Sequence, residues 1–253
     1  MFELENDYWW FVARRNLVVE VVNTLLAGYD YKASIFDVGC GTGATLEAIQ
    51  QYGEVFGTDM AQAAIEFCRK RGLQRLAISR LEQLGYLSES FDLVTALDVL
   101  EHVDQDLKAM AEIYRILKPG GAVVITVPAY GFLWSEHDEA LHHRRRYAAY
   151  ELRNKLSLVG FEIERCSYFI STLFFPILII RILQGIFKKS THPKTSLVRL
   201  PKLVNSLLIY LLKIEQLIFR YINLPFGVSL VCIAKKPLEQ PRSEVLNLLE
   251  NVA

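Results

Sequence analysis

Three glycines at alternate positions follow a short apolar segment near the start of the chain. Gly39, Gly41 and Gly43 come directly after a predicted strand at 34–38 and directly before a predicted helix at 44–51. Glycines at such a turn let the backbone bend tightly and approach a ligand that a Cβ atom would exclude. In the first strand-to-helix turn of a doubly wound sheet, this pattern indicates a nucleotide site.

Two carboxylates accompany this turn and indicate what it binds. Asp37 stands two residues before Gly39, where a negative charge suits a cationic amino-acid group better than a pyrophosphate. Asp59 follows Gly39 by twenty residues and ends the next predicted strand, where it can accept both hydroxyls of a ribose or cap the helix that begins at residue 61. Dinucleotide sites prefer GxGxxG, whereas this chain has GxGxG. The pattern favours S-adenosylmethionine, although the position of Asp59 alone fits NAD equally well.

Histidines supply the candidate bases. His102 follows Asp98 by four residues, so both would face the cofactor end of the fourth predicted strand if a helical turn begins there. A neutral imidazole could deprotonate a hydroxyl acceptor, or His102 could merely brace the following helix. His137, in the loop at 128–147, is the second candidate base. No Cys/His spacing typical of a zinc site is present, so we expect no metal.

The same loop contains Arg144, Arg145 and Arg146 in succession. Guanidinium groups bind phosphate and carboxylate well, so these side chains could grip an anionic group on the acceptor. Alternatively, they form a solvated charge run or pair with neighbouring acids.

Strand and helix patterns alternate from residue 34 onwards. Five apolar strands are predicted at 34–38, 55–58, 75–79, 91–96 and 122–127. Helices separate most of them, which is typical of right-handed βαβ units and predicts an α/β fold with a parallel, doubly wound sheet. Two further strands, at 161–168 and 228–235, bring the sheet to seven strands.

The chain divides into five segments with different compositions. We expect an N-terminal lid helix in 1–30, a cofactor-binding core in 31–169, an apolar and basic helical insertion in 170–227, a final strand in 228–236 and a C-terminal tail in 237–253. An insertion of this length before the last strand is unusual, because compact sheets normally join neighbouring strands by short loops.

Composition excludes several classes of protein. The 253 residues are 52% hydrophobic, which is too apolar for a disordered chain. The 28 basic residues balance 28 acidic ones, which argues against a nucleic-acid binder. Four widely separated cysteines favour reduced thiols in the cytoplasm, and the acidic, aromatic first residues do not resemble a secretory signal.

The balanced net charge conceals a basic block. Residues 1–165 carry 17 Lys and Arg against 24 Asp and Glu, whereas residues 166–223 carry 8 against 1. The apolar run in this block contains Pro176, ends at Arg181 and is shorter than the ~20 residues of a membrane span. We therefore expect either a peripheral contact with an anionic membrane at its cytoplasmic face, or a helical cap on the core or in a dimer interface.

Four motifs together resemble the class I S-adenosylmethionine-dependent methyltransferases. They are residues 35–46 (IFDVGCGTGATL), 57–60 (GTDM), 90–103 (SFDLVTALDVLEHV) and 117–128 (LKPGGAVVITVP). Their order is similar to that in the small-molecule branch that includes the quinone-biosynthesis O-methyltransferases. The resemblance implies a seven-stranded Rossmann-like sheet and methyl transfer from S-adenosylmethionine to oxygen on a small or lipid-linked acceptor.

The resemblance also implies roles for individual residues. The methionyl part of the cofactor would be held by Asp37, Gly39, Cys40 and Gly41, the ribose by Asp59, and the adenine by Met60. Asp98 would lie near the methionine end of the cofactor, and Trp10 or Arg14 of the lid helix could reach its carboxylate.

One position departs from the family pattern. Arg80 stands where the family usually has an acidic residue that meets the adenine amino group. An arginine cannot accept that hydrogen bond, so the backbone at Leu81 or the side chain of Glu82 would have to replace it.

Two other functions remain open from the sequence. The first is an NAD(P)-dependent oxidoreductase on the same architecture, and the second is a catalytically silent module with the S-adenosylmethionine-binding fold that serves as a membrane-bound partner subunit.

Overall fold

Seven strands pair side by side in one sheet of a computed structural model, which describes residues 2–186 and 200–239. In chain order they are β1 (Ala33–Val38), β2 (Gly53–Asp59), β3 (Leu76–Ile78), β4 (Phe91–Leu97), β5 (Leu117–Pro128), β6 (Glu162–Phe169) and β7 (Ser229–Lys235). Their spatial order is β3-β2-β1-β4-β5-β7-β6. The predicted seven-stranded, doubly wound fold is confirmed.

Helices cover both faces of this sheet. The described residues form α1 (Trp9–Leu26), α2 (Ala44–Ile49), α3 (Gln62–Lys70), α4 (Asp106–Ile116), α5 (Glu136–Ala140), α6 (Ala149–Val159), α7 (Phe174–Ile186) and α8 (Lys202–Phe219). One buried cluster joins α4 and α6 to the sheet, and the other joins α1, α2, α3 and α8 to it. Neighbouring strand residues such as Ile35 and Phe36 belong to opposite clusters, which explains why the strands are apolar without alternation.

The prediction of a parallel sheet holds for β1 to β5 and is wrong for β7. This strand lies between β5 and β6 and runs antiparallel to both. Alternation of strands with helices predicts parallel neighbours. The helical segment between β6 and β7, however, does not connect two parallel strands. β6 and β7 are antiparallel neighbours joined by α7 and α8, so the predicted helical insertion before the last strand replaces what could have been a hairpin.

The insertion contains two helices within the described ranges, α7 and α8. No helix in those ranges is long and apolar enough to cross a membrane. Four cations of the predicted basic block lie outside the described residues: Lys188, Lys189, Lys194 and Arg199. Residues 240–253 of the predicted tail lie outside them too.

A buried carboxylate fastens α8 to the end of β6. Glu215 is 2% exposed and accepts hydrogen bonds from the backbone N–H groups of Ser171 and Thr172 at 2.9 and 2.8 Å. The Thr172 hydroxyl donates to the same side chain at 2.8 Å. Beside it, the Gln216 amide donates to the backbone oxygen of Asn16 in α1 at 3.1 Å. The inner side of α8 is therefore held by polar contacts as well as by the buried Leu212 and Phe219.

We expect Glu215→Ala to lower the free energy of unfolding by about 1–3 kcal/mol, because it leaves two backbone donors without their acceptor. Urea unfolding followed by fluorescence measures the change. Glu66→Ala, at an exposed position of α3, is the matched control and should leave stability nearly unchanged. Equal stability of the two variants would contradict the role of Glu215.

Candidate functional site

A cavity of about 1230 Å³ lies at the carboxyl ends of the parallel strands. This volume exceeds the roughly 300–1,000 Å³ typical of a pocket for one small ligand, so the cavity has room for two. The structure places all ten predicted site residues on its wall: Asp37, Gly39, Cys40, Gly41, Asp59, Met60, Leu81, Asp98, His102 and His137.

The glycine turn has the backbone that its sequence requires. Gly39, Gly41 and Gly43 all have left-handed φ angles, of 71°, 53° and 85°. A Cβ atom on Gly39 would lie 2.4 Å from Val99 Cγ2, and one on Gly43 would lie 2.8 Å from Cys68 Sγ. A Cβ atom on Gly41 would meet nothing within 4 Å. The middle of the turn therefore faces open space, as a backbone cradle for a ligand should.

Asp59 ties this turn to the neighbouring strand. Its Oδ2 accepts a hydrogen bond from Gly41 N–H at 2.9 Å, and its Oδ1 accepts one from Ala61 N–H at 2.9 Å. The N-cap position of α3 is occupied by Ala61, so Asp59 binds the amide of the cap residue and is not the cap itself. Each carboxylate oxygen keeps a further lone pair, so these contacts are compatible with ribose binding.

Asp37 is a buried carboxyl group at the end of β1. It is 2% exposed, and the Thr95 hydroxyl donates to its Oδ1 at 2.6 Å. Burial raises the pKa of Asp37 to about 7, because the charged form loses its hydration. A cation in the cavity would hold this carboxylate in its ionised form.

Helix α1 covers the cavity with an arginine. Arg14 forms an ion pair with Asp98, and its guanidinium lies 4.6 Å from the centre of the Trp10 ring. Asp98 follows β4 directly and has a left-handed φ of 52°. The structure thus brings together Trp10, Arg14 and Asp98, which the resemblance assigns to the methionine end of the cofactor. Arg14 was expected to reach the cofactor carboxylate, and in the structure it contacts Asp98.

The segment before α1 contacts the glycine turn. Glu5 is 6% exposed, accepts a hydrogen bond from the Thr42 hydroxyl and pairs with Arg71 at 2.7 Å. Arg71 also donates to the backbone oxygen of Thr42 at 2.9 Å. The lid is therefore attached at two points, to the turn through Glu5 and to the residue after β4 through Arg14.

Glu101 is a site residue that sequence analysis missed. Its side chain is fully buried on the cavity wall, and neither carboxylate oxygen has a hydrogen-bond partner. Burial and the adjacent charge of Asp98 raise the pKa of Glu101 well above its ordinary value. The available signal was its place beside His102, three residues after Asp98 at the end of an apolar strand.

His143 joins Glu101 and His102 across a long loop. The two imidazole rings are perpendicular, with centroids 4.8 Å apart. His143 Nδ1 lies 2.9 Å from Asp138 Oδ1, and its Nε2 lies 4.0 Å from Glu101 Oε1. The potential ligand atoms of Glu101, His102 and His143 lie within 4.8 Å of one another, so the three could hold a divalent cation. The expectation of no metal rested on spacing along the chain, which does not register such a grouping.

Both candidate bases have lowered pKa values. Burial, together with the neighbouring His143, lowers the pKa of His102 below its ordinary value of 6.5. Burial and the positive charge of Arg181 lower the pKa of His137 to about 4. Each imidazole is therefore mostly neutral at pH 7 and has a nitrogen able to accept a proton.

The three arginines of the loop all pair with acids. Arg146 lies 2.8 Å from Asp138, Arg145 lies 3.1 Å from Asp106, and Arg144 lies 3.4 Å from Asp104. The structure favours the expectation that these arginines pair with neighbouring acids over the expectation that they grip an anionic group of the acceptor. Their charges are already balanced, and Asp138 in turn orients His143.

The residues after β2 and β3 line the part of the cavity that the resemblance assigns to adenine. Leu81 is 5% exposed, whereas the Met60 side chain is 63% exposed. Arg80 pairs with Glu82 at 3.7 Å. The glutamate that could replace the usual acidic residue at adenine is therefore paired with a cation.

Comparisons with known proteins agree with this geometry. A family described as a methyltransferase domain matches residues 36–125, which include the glycine turn, Asp59 and His102. A probable S-adenosylmethionine-dependent methyltransferase from Mycolicibacterium smegmatis is 29% identical over 165 residues, covering 63% of this chain and 62% of the relative. A ubiquinone biosynthesis O-methyltransferase from Alkalilimnicola ehrlichii is 38% identical over 99 residues, covering 36% of this chain and 40% of the relative.

A solved structure of an S-adenosylmethionine-dependent methyltransferase from Mesorhizobium loti shares the fold. It has a TM-score of 0.57 and 17% identity, covering 86% of this chain and 96% of that one. The chain spans less than two thirds of the length of the two curated relatives. Motifs, matched domain and sheet order agree, and residues 36–125 are similar to the methyltransferase domain of S-adenosylmethionine-dependent enzymes.

Proposed function

We propose that this protein transfers a methyl group from S-adenosylmethionine to an oxygen atom of a small or lipid-linked acceptor. The observation that carries the proposal is that one cavity joins the glycine turn and its two carboxylates to the cluster of Glu101, His102 and His143. When bound, the cofactor would supply a methyl group on a positively charged sulfur, and S-adenosylhomocysteine would leave as that sulfur–carbon bond breaks.

The residues at the end of β1 and β2 fit such a cofactor. Above Gly41 there is open space that a Cβ atom would occupy. Asp37 supplies a buried carboxylate suited to a cationic amino group, and Asp59 supplies oxygens suited to ribose hydroxyls. A pyrophosphate would bring negative charge to Asp37, which disfavours NAD(P) at this turn.

His102 is the proposed base on the acceptor side. Its lowered pKa keeps the imidazole neutral, so it can take the proton of an acceptor hydroxyl as the new oxygen–carbon bond forms. His137 is the second choice for this role. Alignment of the reactants and exclusion of water supply most of the remaining acceleration, and α1 with its Arg14–Asp98 pair contributes to that exclusion.

Part of the cavity wall is apolar. Leu133 and the α7 residues Ile177 and Ile180 line it. Apolar side chains there support an acceptor with a hydrocarbon portion next to its reacting hydroxyl.

Binding and turnover test the proposal together. Isothermal titration should show binding of S-adenosylhomocysteine and none of NADH. Incubation with methyl-labelled S-adenosylmethionine and a total lipid extract should give a labelled product by mass spectrometry. Binding of NADH alone would support the oxidoreductase, and binding of S-adenosylhomocysteine without turnover on any extract would support the silent subunit.

We expect the affinity for S-adenosylhomocysteine to rise as the pH increases through about 7, because ionised Asp37 is the form that attracts the amino group. Asp37→Asn should lower the affinity at pH 8 roughly ten- to hundredfold and flatten the pH dependence. Titration calorimetry at several pH values measures both effects. Asp30→Asn, at an exposed position, is the control, and an identical pH profile in Asp37→Asn would contradict the assignment.

We expect His102→Gln to lower kcat about 10²–10⁴-fold while leaving the affinity for S-adenosylhomocysteine unchanged. The acidic limb of the pH–rate profile, below pH 6.5 because the pKa of His102 is lowered, should disappear with it. His142→Gln, at an exposed position of the same loop, is the control. Complete loss of wild-type activity on chelation with EDTA would assign His102 to a metal site and contradict its role as the free base.

A further inference from the structure

The outer side of α8 carries a stripe of exposed apolar residues. Leu203, Leu207, Tyr210, Ile214 and Leu217 follow one another at intervals of four and three residues, which places them on one side of a helix. Their exposed fractions range from 40 to 83%. We call these five residues the outer stripe of α8.

Helix α8 lacks the usual separation of apolar residues inside from polar residues outside. Four of its residues are buried, and two of these, Glu215 and Gln216, are polar and hydrogen-bonded to the rest of the protein. A helix on a water-facing surface normally places its apolar residues inwards. In α8 a large part of the apolar surface faces outwards, so the outer stripe is suited to an apolar environment.

Helix α7 adds to this exposed apolar surface. Phe175, Ile179 and Ile182 are each more than half exposed. Together, α7 and α8 carry more than half of the large apolar side chains that are exposed in the described ranges. Patches of this kind mark contacts with proteins or membranes.

Charge distinguishes between the possible occupants of this surface. Residues 166–223 contain eight Lys and Arg, and their single acidic residue, Glu215, is buried. Lys202 and Lys213 are exposed on α8 itself. A second copy of this chain would bring Lys202 and Lys213 of both chains together, whereas an anionic bilayer offers both an apolar interior and opposite charge.

We propose that the outer stripe of α8 and the exposed residues of α7 dock on the surface of an anionic lipid bilayer. The helices lie in the interface and do not span it, in keeping with their length and composition. Because Ile177 and Ile180 of α7 also line the cavity, the docked enzyme has its acceptor side next to the lipid. That last step rests on the proposed function and makes the acceptor a membrane lipid.

Vesicle flotation of the full chain tests the docking without any cofactor. The protein should float with vesicles of phosphatidylcholine mixed with phosphatidylglycerol, and poorly with phosphatidylcholine alone. Lys202→Gln with Lys213→Gln should lower the partition coefficient on the order of tenfold, because each cation near the surface adds to binding. Leu207→Glu with Ile214→Glu should lower it by at least about tenfold, because it removes apolar contact and adds repelled charge.

Leu158→Glu, an exposed apolar position on α6, is the matched control and should float like the parent protein. Equal flotation with both kinds of vesicle, or none with either, would overturn the proposal. Sedimentation equilibrium identifies the competing occupant: a dimer that Leu207→Glu with Ile214→Glu disrupts, with no flotation, assigns the surface to a second copy. Because the assay contains no cofactor, its failure leaves methyl transfer untouched, and failure of methyl transfer leaves the docking result standing.

Discussion

The parallel pairing of β1 with β2 and β4 is the constraint on which the site depends. Both faces of these strands are buried, so their charged residues lie only near the strand ends. Parallel direction puts those ends at one edge, and Asp37, Asp59 and Asp98 converge there. The glycine turn then bends away from β1 without side chains, and Asp59 fixes it to β2. These carboxylates come from distant parts of the chain and meet because the carboxyl ends of the parallel strands lie at the same edge of the sheet.

Arg14 interacts electrostatically with several acidic groups in the cavity. Burial raises the pKa values of both Asp37 and Glu101, and the nearby guanidinium of Arg14 partly offsets each rise. Arg14 also pairs directly with Asp98. One cation of α1 therefore lies close to the carboxyl groups of Asp37, Asp98 and Glu101. A pocket with this excess of acidic groups is suited to a ligand that is itself positively charged.

Local signals predicted the glycine turn and the carboxylates beside it well, because these residues belong to short segments. The spacing of Gly39, Gly41 and Gly43 determines a turn that a Cβ atom would block, and Asp59 lies in the next strand along the chain. The cluster of Glu101, His102 and His143 depends on contacts between remote segments. Glu101 and His143 are 42 residues apart and meet only because the loop after β5 folds back over β4. The direction of β7 and the burial of Glu215 and Gln216 in α8 likewise depend on tertiary contacts that periodicity does not encode.

The place of β7 in the sheet has a consequence for how the chain acquires its structure during synthesis. β7 fills the gap between β5 and β6, although it is translated more than fifty residues after β6 ends. Until it emerges from the ribosome, the hydrogen-bonding edges of β5 and β6 have no native partner, and unpaired edges of this kind invite pairing between nascent chains. The apolar helices α7 and α8 are synthesised during that same interval. This is therefore the stage at which a chaperone or a nearby membrane would most affect the yield of folded protein.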